Sequence, residues 1–190
     1  MSRIKLYTEQ FKGCKEAHIE GLPSLYYKPE QYELFGQIKE RKPSFDDLVY
    51  QYFIEDTVKK QVYGYHCGMY SLNRIHGTTQ MTMLVEIKSN KVTEEQLYEY
   101  GMERYKIYPS RFEVNNNNHF ILEILDNLEN LFDYFEDDIY DCISYIVKEL
   151  HLTKSQFYNY IKHYSEQTKA VIDAVYLGQY KKFNDAHEIV

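Results

Sequence analysis

The chain has no tryptophan, three cysteines in 190 residues and no long uncharged apolar run. Cys14, Cys67 and Cys142 lie far apart and form no CxxC pair. An odd, sparse set without a signal peptide predicts reduced thiols in a cytoplasmic protein. The opening MSRIKLYTEQ contains no apolar h-region, and no segment reads as a bilayer span, so neither export nor membrane insertion is expected. A further absence is local: between Glu123 and Asp141 eight acids meet no base.

What the chain does hold is tyrosine, 21 of them, and a run of asparagines from Asn115 to Asn118. With its many lysines and isoleucines this composition suggests AT-rich coding, as in a low-GC bacterium, a phage, a plasmid or a virus. A net charge of −7 argues against a generic nucleic-acid binder, which should be basic. The charge is uneven, however. Acids and bases balance over 1–60 and again over 61–122, and 142–182 is mildly basic, so the excess sits in the 123–141 stretch. Local distribution therefore carries the information.

The length allows one domain or two small ones. Residues 1–28 read as an irregular lead-in with one strand. Pro29 can open a helix, and Tyr32, Leu34, Phe35 and Ile38 recur at roughly helical spacing, which predicts a helix over 29–40. The β-branched and aromatic run at 48–54 predicts a strand, with a second over 58–63 ending at Gly64. A short helix is expected at 70–75, closed by Gly77, then a strand at 81–87. Thr93 and Gln96 have capping-box spacing, which predicts a helix to about Tyr105. Pro109 to His119 reads as a polar linker. Beyond it, Phe120, Ile121, Ile124, Leu125, Leu128 and Leu131 predict an amphipathic helix with an acidic outer face.

The most specific signal is local. Ile143, Ile146, Val147 and Leu150 put an apolar stripe on one helix. His151 then stands where a tight turn needs a left-handed residue, a position some non-glycine residues tolerate. Leu152 fills the wedge between helices, and Thr153 with Gln156 forms a capping box for a second helix. Phe157, Tyr160 and Ile161 face back onto the first helix. This is a helix-turn-helix pattern, although an ordinary capped helix pair shares several of its features. The outward residues Lys154, Ser155, Gln156, Tyr158, Asn159 and Lys162 include no acid. Ser, Gln and Asn can bond base edges, while Lys and Tyr can hold phosphate. Lys169 is a further candidate for phosphate contact.

The residues after this motif, Ile172 to Gly178 and Asn184 to Ile189, resemble the segment that follows the helix-turn-helix in the ParB/Spo0J partition family. The front half is similar to that family in element order, with Gly64-Tyr65-His66-Cys67 at the place of a Gly-x-x-Arg turn. The resemblance spans roughly 29–190. It implies a cytidine triphosphate and magnesium site, with Gly64, His66 and Gly68 as nucleotide-binding candidates, and residual CTPase activity. It also implies a homodimer acting in plasmid partition, in transcriptional control or in a mobile element. Cys67 at the arginine position cannot neutralise a triphosphate, and the family's Glu-Asn pair has only loose counterparts in Glu113 and Asn115. Efficient hydrolysis, and hence a bound cofactor, is not expected. Family members carry further helices and a dimerisation domain, so the resemblance implies a minimal or shortened relative.

Other constellations carry weaker signals. His66 and Cys67, with His76 or His18, have no recognised metal spacing. Cys67 as a nucleophile with His66 or His76 as base would need adjacent side chains to face one another. The acidic run suits either a solvated helix face or a DNA-mimicking surface, and the tyrosines either core filler or a stacking platform for single strands. The expected fold is α+β: a small α/β domain over 1–112, a linker at 113–119 and an all-α helix-turn-helix domain over 120–190. The expected activity is sequence-specific double-stranded DNA binding. The rival is a phage-type inhibitor that grips a host protein through its acidic 123–141 helix and tyrosine-rich surfaces.

Overall fold

A computed structural model describes residues 12–18, 23–76, 83–131 and 139–178. The described residues form strands β1 (Lys15–Ala17), β2 (Leu25–Tyr27), β3 (Glu30–Leu34), β4 (Gln37–Arg41), β5 (Glu55–Asp56), β6 (Gln61–Val62), β7 (Gly64–Cys67), β8 (Val85–Ser89), β9 (Gln96–Tyr100) and β10 (Glu103–Pro109). Their helices are α1 (Phe45–Phe53), α2 (Gly68–His76), α3 (His119–Leu131), α4 (Ile139–Glu149), α5 (Lys154–Tyr158) and α6 (Glu166–Leu177), with a 3₁₀ turn at Ile161–His163. The fold is α+β, as expected. Among the described residues no helix is long and apolar enough to cross a membrane.

The central sheet has the order β7-β8-β10-β9, with β8 and β10 parallel and the other neighbours antiparallel. Helix α1 lays Val49 and Phe53 on this sheet, against Ile87, Tyr105 and Ile107. The C-terminal helices close a second core around Ile124, Leu125, Leu128, Ile143, Phe157 and Ile172, and Leu72 of α2 belongs to it. A third cluster, Val62, Tyr65, Val114 and Leu122, joins sheet to helices.

Several front-half expectations are corrected. The 29–40 segment is the hairpin β3–β4. Phe35 (φ 53°) and Gly36 (φ 73°) both lie in the left-handed region, as a two-residue hairpin loop of the primed type requires. The 48–54 segment is helical. Ser44 accepts from the Asp47 N–H at 3.1 Å while the Asp47 carboxylate accepts from the Ser44 N–H at 2.8 Å, and this box overrides the β propensity of the run. Conversely, Thr93 and Gln96 start no helix: Gln96–Tyr100 pairs with Glu103–Ile107 across a turn at Gly101. The Gly64–Cys67 turn is itself a strand, and only Gln61–Val62 of the 58–63 segment is extended. The 70–75 helix is present within α2. The 81–87 strand begins at Val85, and Met81, Gly77 and Asn184–Ile189 lie outside the described residues.

The acidic outer face of α3 is also corrected. Glu123 and Asp126 are buried, at 5% and 6% exposure, and Asn127 beside them is at 1% and donates to Ser71 of α2 at 2.8 Å. Asp126 accepts hydrogen bonds from Tyr65 (2.6 Å), Lys88 (2.6 Å) and Tyr164 (2.9 Å). Glu123 takes Ser71 and the Arg74 guanidinium, the latter at 3.7 Å. A buried carboxylate persists only when paired in this way. The 113–119 segment is tied down by its asparagines. Asn90 exchanges two bonds with Val114, Asn116 bonds Val62 and Lys60, and Asn118 bonds Glu113 and Tyr160.

Candidate nucleic-acid interface

The turn between α4 and α5 is a Schellman closure. The Leu152 N–H donates to the Val147 carbonyl at 2.9 Å, and the His151 N–H to Lys148 at 3.2 Å. His151 carries φ 51°, the left-handed position that glycine usually fills. Leu152 packs into the helical core with Val147, Phe157 and Ile161. Tyr176 of α6 pins the turn by donating to the Leu152 carbonyl at 2.8 Å. Thr153 opens α5, its N–H donating to Gln156 Oε1 at 2.7 Å. Helix α5 is five residues long and continues through Tyr160 into the 3₁₀ turn.

The expected contact residues divide. Ser155, Asn159 and Lys162 are exposed. Gln156 is committed to the cap of α5. Lys154 pairs with Asp173 of α6 at 2.9 Å, and the Tyr158 hydroxyl donates to the same carboxylate. Partial burial would raise the Asp173 carboxyl, but the bonds from Tyr158 and Lys154 outweigh it and hold the group below its usual range. Lys169 pairs with Glu166 at 3.4 Å. The acid-free face thus holds along α5, while α6 supplies an acid to it. Asp173 is fifteen residues from Tyr158, and the periodicity of α5 carries no sign of it.

The β7–α2 junction, the expected nucleotide turn, is built differently. A Cβ on Gly64 would strike the carbonyl oxygens of Phe53 and Lys88, and one on Gly68 (φ 63°) would strike the Glu86 carboxylate. These glycines are therefore filled against by the protein itself. Glu86, held by the Tyr108 hydroxyl at 2.9 Å, sits against the first residue of α2. A helix start favours an anion, and here that anion is the chain's own side chain. Cys67 is buried, and burial pushes its thiol up, away from thiolate chemistry. His66 accepts from Arg74 at 2.6 Å through Nδ1, which leaves its proton on Nε2. Burial, with the Arg74 charge second, pushes His66 down to about 3, so its imidazole is neutral. These residues do not fit a triphosphate. Among the described residues no cluster suited to a metal occurs either.

A cleft of about 700 Å³ runs beside His66, lined by Tyr50, Tyr70, Arg74, Arg41 and Tyr105. It meets a smaller one of about 270 Å³ where His119 and Glu123 approach Arg74. Burial raises the Glu123 carboxyl, with Arg74 and Ser71 opposing. The Arg74–Glu123 pair, which joins α2 to α3 at 3.7 Å, is one the sequence reading missed.

No known family, characterised protein or solved structure matches the chain.

Proposed function

We propose that the chain binds double-stranded DNA sequence-specifically, through Ser155 and Asn159 at base edges and Lys162 at phosphate. The observation that carries this reading is the α4–α5 turn, where a left-handed His151 and the Leu152 wedge fold two helices together and leave Ser155, Asn159 and Lys162 exposed. A short polar helix presented in this way suits the major groove. The ParB-like resemblance supports it in the helical half, where α6 follows the motif and Gly178 closes it with φ 63°. Partition, transcriptional control and mobile-element function all use such a module. Tight binding to a palindrome calls for a symmetric dimer. The front half serves as a scaffold without efficient CTP hydrolysis.

The test begins with selection of bound duplexes from a random pool. A Ser155→Ala, Asn159→Ala double variant is then expected to lose at least tenfold in affinity for the selected site, since a good base contact is worth about 1–3 kcal/mol. Its fold should persist, because both side chains are exposed. Unchanged affinity for the selected site overturns the reading. Salt separates it from the inhibitor alternative: binding to duplex should fall steeply as salt rises. That rival has less acidic surface to use on α3, where Glu123 and Asp126 face inward.

A further inference from the structure

Three cations were expected to serve the interface, and the structure commits two of them elsewhere. Lys154 is paired with Asp173 and Lys169 with Glu166. Lys162 has no carboxylate within ion-pair distance among the described residues. Neither has Arg111, which lies far away in sequence but reaches the backbone of His163, the residue that follows Lys162. The Arg111 Nη1 donates to the carbonyl of His163 at 2.6 Å. Its guanidinium carbon stands 5.4 Å from the centre of the Tyr164 ring. The neighbouring Phe112 packs its ring on Tyr160 and His163, each at 5.2 Å. Asn118 ties the same loop to the Tyr160 hydroxyl at 3.0 Å.

Arg111 is therefore held in place while most of its five N–H donors stay uncommitted. The carboxylate that feels its charge is Glu129, which is already occupied by Ser165 and Thr168. A pre-organised guanidinium with no carboxylate at ion-pair distance among the described residues, next to the segment that leaves a groove-facing helix, is suited to a phosphate oxygen. Contacts of this kind fix register and carry no sequence information. We infer that Arg111, from the front half of the chain, forms a phosphate clamp with Lys162 on the backbone of the bound DNA duplex. This rests on the DNA-binding reading of the helix-turn-helix.

The experiment measures affinity for the selected duplex as a function of salt in the full-length protein. Each phosphate neutralised contributes about −0.9 to the slope of log K against log salt. Arg111→Ala and Lys162→Ala should each flatten the slope by about one, and the double variant by about two, with equal weakening on all sequences. Lys154→Ala should leave the slope nearly unchanged, because that charge already faces Asp173. Arg111→Lys should restore the slope. A variant that merely loosened the fold would shift log K at every salt concentration and keep the slope, so the readout separates the two roles. A wild-type slope in Arg111→Ala overturns the clamp. If sequence selectivity is still lost in the Ser155, Asn159 double variant, the DNA reading stands without it. No salt-dependent binding by the wild type overturns both.

Discussion

Among the described residues two junctions begin a helix beside a left-handed residue, and they are built in opposite ways. At the β7–α2 junction Gly68 takes φ 63° and at the α4–α5 turn His151 takes φ 51°. In front of α2 the chain fills the space with its own atoms, the Glu86 carboxylate and the carbonyls against Gly64. In front of α5 it leaves Ser155 and Asn159 outward, while only the back of the turn is packed, by Leu152 and Tyr176. The same local device serves in one place to seal and in the other to present. A glycine in a strand–helix turn is thus ambiguous between packing and ligand approach, and the neighbouring strand decides which.

The largest effect expected from breaking this contrast is at Gly64. Its missing Cβ is replaced by two backbone carbonyls that cannot rotate away, so Gly64→Ala should cost about 3 kcal/mol, at the upper end for overpacking. Gly68→Ala meets a side chain instead, so part of its cost should be recovered by Glu86→Ala in the same protein. Urea unfolding of the three variants measures both. If Gly68→Ala is equally damaging with and without Glu86, the carboxylate is not what fills the junction.

The next effect is acid sensitivity. His66 titrates near 6.5 when unfolded and near 3 when folded, so the unfolded chain binds the extra proton between those values. Its contribution is complete above pH 6.5 and is lost as pH falls, at up to about 1.4 kcal/mol per pH unit. Protonation would set an imidazolium against Arg74, with Tyr50 and Tyr70 around it. Glu123 works in the other direction, since its folded value is raised and its contribution grows on acidification. Thermal melts from pH 7 to 5 should therefore show falling stability in the wild type, and His66→Gln should flatten or reverse the trend. An unchanged pH dependence in His66→Gln excludes this histidine as the cause.

How much of this was legible follows the same division. The α4–α5 turn could be read because every part of it is local: His151, Leu152, Thr153 and Gln156 are consecutive or nearly so, and the structure uses each as the spacing implies. The front half was misread where two local signals competed. Ser44 and Asp47 cap a helix that the aromatic and β-branched residues 48–54 disguise, whereas the equally good box at Thr93 and Gln96 yields to pairing with β10. The inward turn of Asp126 could not be read at all. Its partners Tyr65, Lys88 and Tyr164 are 38 to 61 residues away, and without them a carboxylate on an amphipathic helix belongs outside. Arg111 was hidden for the same reason, since its meaning depends on His163.

The smallest effect tests the presenting junction without touching its outward residues. His151 is a non-glycine residue at φ 51°, a conformation that costs an L-residue roughly 1 kcal/mol relative to glycine. Its own side chain is exposed. His151→Gly should therefore raise stability by up to about 1 kcal/mol, a rise of roughly 2–4 °C in Tm for a chain of this size. The Schellman bonds from Leu152 and His151 are backbone bonds and survive the change. Affinity for the selected duplex should then stay within twofold of wild type, because the turn geometry is kept and Ser155, Asn159 and Lys162 are unaltered. A stability gain with a large loss of affinity would mean that His151 itself touches DNA, and a loss of stability would mean that the imidazole holds the turn rather than merely tolerating it.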